Sequence, residues 1–320
     1  MSYFNPERGT MSTQELTAKL RERATQARAD LVGIAPSDRF NGLPADKDPR
    51  SIFPECRSVV VLGRRVLRGT LRGVEEGTNF GSTYGTFGYQ WLEDNFLAQT
   101  TYDVTCHIEN LGYEAVPLFG YAEEGMPKGR PVAPGKPAPN IILDVNYAAQ
   151  AAGLGETGLG DFFITPRFGT RQRFALILTD AELTPDPVAE KSICRDCGAC
   201  IRACPLGGIR ADRLKTAGVP GHERQVVELD LEICNACPNG AMRKPGRGAR
   251  PDRLAAACGR ACAIQLEQGG KCENRFAQPF RKRTPWALDL LRRPIPADAA
   301  PHPADTGCDK SFDRIGQGRA

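Results

Sequence analysis

Residues 194 to 205 read CRDCGACIRACP. Four cysteines separated by two, two and three residues and closed by a proline form the bacterial ferredoxin ligand run for a [4Fe–4S] cluster. This run constrains the fold more than any other stretch. Its loop must curl around inorganic sulfide with its backbone N–H groups pointing inward, and the rest of the chain must bring further thiolates to it. Cys194, Cys197 and Cys200 can take three corners of one cubane, while Cys204 turns away with Pro205 toward a second cluster. The second cluster then needs three more thiolates and the first needs one. Cys234 and Cys237 in EICNACPNGA, with Cys258 and Cys262 in AAACGRACAIQLE, close the count at eight and leave Cys272 as a spare. A structural zinc site on Cys234, Cys237, Cys258 and Cys262 competes, because a C-x2-C followed by a second pair about twenty residues on is a zinc spacing. It would leave Cys204 without a cluster and the first cubane without a fourth ligand.

The chain has 320 residues, which suggests two domains at about 150 residues each. No apolar run reaches the ~18 residues needed to span a bilayer. The N-terminal stretch MSYFNPERGTMSTQELTAKLRERATQ has neither an apolar h-region nor a twin-arginine pair, so the expected setting is cytoplasmic, with no membrane partner. In a reducing compartment twelve cysteines are metal ligands more readily than disulfides. Cys56 and Cys106 stand alone and read as small buried hydrophobes. Cys308, in a Pro/Ala/Asp-rich tail, reads as a free thiol.

Charge divides along the chain. Residues 1 to 193 carry 20 Lys and Arg against 24 Asp and Glu, whereas residues 241 to 293 carry 13 against 4. A basic patch suits an acidic protein partner, and small reduced electron donors such as flavodoxin or ferredoxin are acidic. Arg281, Lys282 and Arg283 in PFRKRTPW are the candidate steering charges. Nucleic acid is the less favoured partner, because the stretch lacks interleaved aromatics beyond Phe276, Phe280 and Trp286.

Ser12 followed by Glu15 is a capping-box signal, and Leu16, Leu20, Ala24, Ala27 and Leu31 recur at helical spacing. SVVVLGRRV reads as a buried strand. Residues 70 to 90, rich in glycine and aromatics, read as irregular, and 91 to 111 read as a helix ending at Gly112. A strand at EAVPLF, a proline-rich loop over 126 to 140 and a helix at NYAAQAAGL follow. A glycine-punctuated connection then leads to a central strand at FALILTD. Alternating helices and strands argue for one α+β or α/β domain over 1–185, a double-cluster ferredoxin-like domain over 186–293, and a disordered tail over 294–320. There is no haem C-x-x-C-H and no dinucleotide fingerprint. The three histidines, His107, His222 and His302, are too few for a His-rich metal site. An organic cofactor would be held by shape and backbone contacts.

Taken in order, DPRSIFPECRSVVVLG, ENLGYEAVPL, AAGLGETGLGDFFITPRFGTRQRFALILTD and the cysteine run resemble the family of epoxyqueuosine reductases and reductive dehalogenases, over about residues 30 to 265. The resemblance implies a fold of class α+β, with a nitroreductase-like domain that holds a base-off cobalamin and two [4Fe–4S] clusters that feed electrons to its cobalt. It places the corrinoid at Gly153, Leu154, Gly155, Gly158, Thr165, Phe168 and Gly169. Leu159 stands where tRNA-modifying members have lysine. Their C-terminal helical-repeat domain and the export signal of respiratory dehalogenases do not occur in these 320 residues. FAQPFRKRTPW is similar to soluble relatives of uncharacterised activity. The resulting expectation is a cytoplasmic, cobalamin-dependent iron–sulfur reductase that cleaves a small organic substrate by dehalogenation or deoxygenation. Tyr84 and Tyr89 are the first candidates for proton donor, and Tyr147 and Asp144 come next; a packing role competes for each tyrosine. The alternative is a ferredoxin-like electron-transfer protein without cobalamin.

Overall fold

The computed structural model describes residues 11–118, 129–190, 192–243 and 250–297. The chain forms two compact units that are interleaved in sequence. One comprises Met1–Arg65, Trp91–Leu154 and Gln172–Ala189, and the other Val66–Gln90, Gly155–Arg171 and Glu190–Ala320. A single boundary near residue 185 would have left Val66–Gln90 and Gly155–Arg171 with the first unit. They group instead with the cysteine-bearing part, since they supply backbone and side chains that contact the cysteine loops.

In the first unit, α1 (Thr13–Gln26) starts at Ser12, whose Oγ accepts the Glu15 N–H at 3.2 Å while the Glu15 carboxylate accepts the Ser12 N–H at 2.8 Å. Leu16, Leu20, Ala24 and Ala27 are buried as the periodicity requires. Leu31 is not part of that stripe. Arg28 adopts a positive φ of 67° just past the helix, and Leu31 opens strand β1 (Leu31–Pro36). Next come β2 (Ser58–Arg65), α3 (Ala98–Asn110), β3 (Ala115–Leu118), α4 (Val145–Ala151) and β6 (Gln172–Thr179). The sheet order is β1-β2-β6-β3 and every pairing is antiparallel. This makes the unit α+β rather than α/β. Strand β6 is central, as its continuous apolar run suggests. Leu20, Val104 and Ile108 from the helices pack with Ile34, Val60, Leu62 and Ile177 from the sheet. The proline-rich stretch has no regular element over its described residues 129–140.

In the second unit, α2 (Arg72–Glu75) precedes a π-helical segment, Gly81–Gln90. Residues 81–90 are thus helical where composition suggested irregular chain. Asn79 starts the segment: its Oδ1 accepts the Thr83 N–H at 3.2 Å and the hydroxyls of Ser82 and Thr83. Gly88 also lets the Tyr84 ring lie against the helix, since a Cβ there would sit 2.5 Å from Tyr84 Cδ2. The glycine-punctuated connection holds a hairpin of β4 (Glu156–Gly158) and β5 (Phe162–Ile164). Beyond it lie α5 (Ala199–Arg202), a hairpin of β7 (Ile209–Ala217) and β8 (Arg224–Leu229) with a bulge between Arg210 and Leu214, α6 (Leu231–Ala236) and α7 (Ala257–Gln268). A last pair, β9 (Ala287–Leu288) and β10 (Pro294–Ile295), corrects the expectation that disorder begins at Pro294. Arg292 at φ 63° makes the turn, and the Asp289 N–H closes it on the Arg293 carbonyl at 3.0 Å. Cys308 and the rest of the tail, 298–320, lie outside the described residues.

Candidate metal centre

All eight cysteines singled out by spacing lie in the second unit, on three short helices and the loops that lead into them. Cys194 and Cys197 precede Gly198, whose left-handed φ of 67° turns the chain into α5, which carries Cys200. Asp230 caps α6 by accepting the Ile233 N–H at 3.1 Å, so that Cys234 falls within the helix and Cys237 ends it. Cys258 and Cys262 are four residues apart on α7 and share one face.

The thiols divide into two groups. Cys262 has Cys200, Cys194 and Cys197 as its principal thiol neighbours. Cys234 has Cys258, Cys204 and Cys237, and Cys258 in turn has Cys204 and Cys237. Cys204, Cys234, Cys237 and Cys258 line one small apolar pocket. Helix α7 therefore serves both groups, one residue to each. The zinc set fares badly, because Cys262 groups with the first run and not with Cys234 and Cys237. Among the described residues, no three His, Cys, Asp or Glu side chains are arranged to hold a single ion. Cys272 is buried beside Arg171 and Glu267 and has no thiol among its charged neighbours.

Backbone comes close to these sulfurs because glycine allows it. A Cβ on Gly158 would lie 3.2 Å from Cys194 Sγ, one on Gly208 3.2 Å from Cys234 Sγ, and one on Gly160 would collide with Cys200 Sγ. The Leu159 N–H donates to Cys194 Sγ at 3.4 Å, and Asn239 Nδ2 lies 3.7 Å from Cys237 Sγ. Burial pushes the thiols of Cys200, Cys234 and Cys258 up to about 12, and those of Cys194, Cys237 and Cys262 upward as well. A nucleophilic cysteine is tuned the opposite way. Buried thiols gathered in fours suit ligands that ionise when a metal supplies the compensating charge. The residues therefore fit two iron–sulfur clusters.

Four supporting residues carry no motif signature of their own. Glu156 accepts the N–H groups of Ile193 at 2.7 Å and Cys194 at 2.6 Å, and Arg224 joins it at 3.2 Å while pairing with Asp196. This network fixes the start of the first cysteine loop. Asn239, wholly buried, holds Leu288 through both backbone groups, at 2.9 and 2.7 Å. Arg253, also buried, lines the pocket of the second thiol group. Only Asn239, two residues after Cys237 in CPNG, had any local signal, a turn-forming Asn-Gly pair.

The expected proton donors are divided between the two units. Tyr84 is 1% exposed, and its hydroxyl donates to Asp252 Oδ2 at 2.5 Å in the second unit. Tyr89 is buried in the same unit. Tyr147 belongs to the first unit, donates to the Arg39 carbonyl at 2.8 Å and packs on Phe40. Asp144 caps α4, with Oδ1 accepting the N–H groups of Asn146 and Tyr147. The expected corrinoid residues also have local duties. Gly153, at φ 73°, ends α4 where a Cβ would strike the Pro187 carbonyl, and Leu154 packs against Gly33 in the same unit. In the second unit, Gly155 precedes β4, which Gly158 ends. Thr165 and Gly169 exchange backbone hydrogen bonds at 2.8 and 2.9 Å around a turn, and Thr165 Oγ1 accepts the Phe168 N–H at 3.2 Å. The side chains of Thr165 and Phe168 are buried.

The basic stretch is less free than its composition suggests. Arg281 Nε meets Glu75 at 2.5 Å and Arg283 pairs with Glu76 at 2.6 Å. Glu75 also takes Arg260 Nε at 2.6 Å in a buried pair. Trp286 Nε1 donates to the Val74 carbonyl at 2.9 Å, so residues 281–286 strap α2. Arg281 is therefore a structural residue, and of the three proposed steering charges only Lys282 is exposed with no ion pair found among the described residues.

The chain is related in sequence to reductive dehalogenases, and it shares their mixed helix and strand fold. Tetrachloroethene reductive dehalogenases from Desulfitobacterium hafniense and Dehalobacter restrictus are each 32% identical to it over 151 residues, 46% of this chain and 22% of theirs. Among solved structures, the catabolic reductive dehalogenase NpRdhA matches 97% of this chain and 48% of its own at a TM-score of 0.54 and 17% identity. A further reductive dehalogenase structure, one that suggests a mechanism for B12-dependent dehalogenation, matches 99% of this chain and 51% of its own at 0.53 and 16%. The chain thus spans about a fifth of the curated relatives and about half of these solved ones. No family model matches. Among the described residues, no helix is long and apolar enough to cross a membrane.

Proposed function

We propose that this chain is an iron–sulfur reductase in which Cys194, Cys197, Cys200 and Cys262 hold one [4Fe–4S] cluster and Cys204, Cys234, Cys237 and Cys258 hold another. The observation that carries the reading is the division of eight thiols, four of them fully buried, into two fours that share α7. Four residues of helix rise about 6 Å, which keeps two clusters within electron-transfer reach. The chain's own residues fix the loops through Glu156 and Arg224, bring backbone to sulfur at Gly158, Gly160 and Gly208, and exclude water with Ile201, Ile209 and Val227.

The similarity to reductive dehalogenases supports a corrinoid as the acceptor and a small organic substrate; the cytoplasmic setting and the acidic electron donor are proposed from the sequence alone. A corrinoid would supply a reduced cobalt able to break a carbon–halogen or carbon–oxygen bond. A second reading, carried by the ferredoxin-type cysteine run at 194–205, is a ferredoxin-like electron-transfer protein without cobalamin. Anaerobically reconstituted protein mixed with hydroxocobalamin and passed through gel filtration separates the two. About one corrinoid retained per chain supports the reductase; none, with the clusters intact, leaves the electron-transfer protein. Iron near eight per chain is expected in either case, and zinc in place of iron defeats both.

A further inference from the structure

Arg253 lies in no motif. It is 6% exposed, and its Nη2 donates to the carbonyls of Gly160 at 3.0 Å and Asp161 at 2.8 Å. Its guanidinium sits 4.2 Å over the Phe162 ring. These contacts lock the group in place beside Cys204, Cys234, Cys237 and Cys258, whose pocket it lines. Its Nη1 is buried and has no hydrogen-bond partner among the described residues. A guanidinium does not lose its proton in a protein, and a buried charged donor left without an acceptor is destabilising. An arginine held so firmly with one donor unmet points to an acceptor that belongs in the pocket.

We propose that Arg253 is the electrostatic partner of the cluster held by Cys204, Cys234, Cys237 and Cys258, and that it raises that cluster's reduction potential above that of its neighbour. The proposal rests on the two-cluster reading. Reduction brings one electron from a low-potential external donor and no proton, so the cluster and its thiolates gain one negative charge. A fixed positive charge and an N–H donor stabilise the reduced form more than the oxidised one, and net charge and hydrogen bonds to sulfur are the protein's principal means of setting such potentials. The charge acts unequally on the two groups. Arg253 lines the pocket shared by Cys204, Cys234, Cys237 and Cys258, whereas no cysteine of the first group lines that pocket. The cluster beside Arg253 would therefore be the easier of the two to reduce.

The test is an EPR-monitored titration with dithionite on the full chain, anaerobically reconstituted, as wild type, Arg253→Gln and Arg253→Lys, with iron measured on each. Arg253→Gln should retain its iron and show one midpoint potential lowered and the other unchanged. Arg253→Lys, which keeps the charge and loses the fork, should lie between Gln and wild type. Unchanged midpoints in a fully loaded Arg253→Gln protein overturn the proposal, as does an equal fall of both. If the Gln variant does not load, the Lys variant decides. There, one midpoint below wild type with the other unchanged supports the proposal, two unchanged midpoints overturn it, and loss of about four iron atoms per chain makes Arg253 an assembly residue and overturns it. A wild-type protein without two clusters would instead show that the underlying reading is wrong.

Discussion

Tyr84 shows how far a side chain's surroundings can redirect its meaning. In sequence it is a tyrosine in a glycine-aromatic stretch, a reasonable proton donor. In the structure its hydroxyl is spent on the buried Asp252 carboxylate, which also accepts the Leu254 N–H at 3.2 Å. Tyr84→Phe would leave a buried acceptor short of one donor, which costs about 1–3 kcal/mol. The expected outcome is a lower denaturant midpoint at unchanged slope, with turnover per loaded chain intact. A tenfold loss of turnover at unchanged stability would return Tyr84 to the chemistry. Nothing in the sequence could have exposed this pair, since 168 residues separate its members. The cysteines were legible because the distance between ligands around a cubane is imposed by the cluster and recurs in the spacing. Partners such as Glu156 and Arg253 answer to no such ruler.

Helix α7 is the element on which the two thiol groups depend together. Its ligands face one way, yet Cys258 belongs with the second run and Cys262 with the first. Replacing either with serine should cut iron from about eight to about four per chain, each variant losing a different EPR signal. Cys272→Ser, at a thiol whose charged neighbours are Arg171 and Glu267, should leave iron unchanged even though Cys194 and Cys262 pack against the same apolar cluster. Loss of iron there would mean that the wrong eight were chosen. Among the elements, the long periodic ones were readable: α1 from its capping box, β2 and β6 from their apolar runs. The hairpin β7–β8 was missed because its strands are mostly polar on their open faces, as at Arg210, Asp212 and Arg213, so alternation was weak. The π-helical segment was missed because glycine content argues for loops, and only the Asn79 cap, a contact between side chain and backbone, reveals the helix.

At the scale of the whole molecule, charge and chain order matter most. Net charge marked residues 241–293 as a docking face, but Arg281 and Arg283 are engaged with Glu75 and Glu76. Lys282→Glu should slow reduction by a flavodoxin by up to about tenfold at low salt while leaving reduction by dithionite unchanged. Arg281→Glu should instead lower stability and slow both. Equal slowing by both donors in Lys282→Glu would end the docking idea. Interleaving was invisible in the sequence, because each stretch reads locally as an ordinary helix, loop or strand, and only tertiary contact assigns it to a unit. It bears on how the protein is made. The Glu75 carboxylate leaves the ribosome well before its partner Arg281, and at about 5–20 residues per second the wait is roughly ten to forty seconds. During that time the Val66–Gln90 stretch is a nascent chain without its partners, with Phe80 and Phe87 open to a chaperone or to a neighbouring copy. Iron loading on the first cysteine loop would wait as well, though for a shorter time of roughly three to fourteen seconds, because its proposed fourth ligand, Cys262, is made well after Cys194. Maturation of this protein is therefore expected to be post-translational, with its iron supply meeting a completed chain.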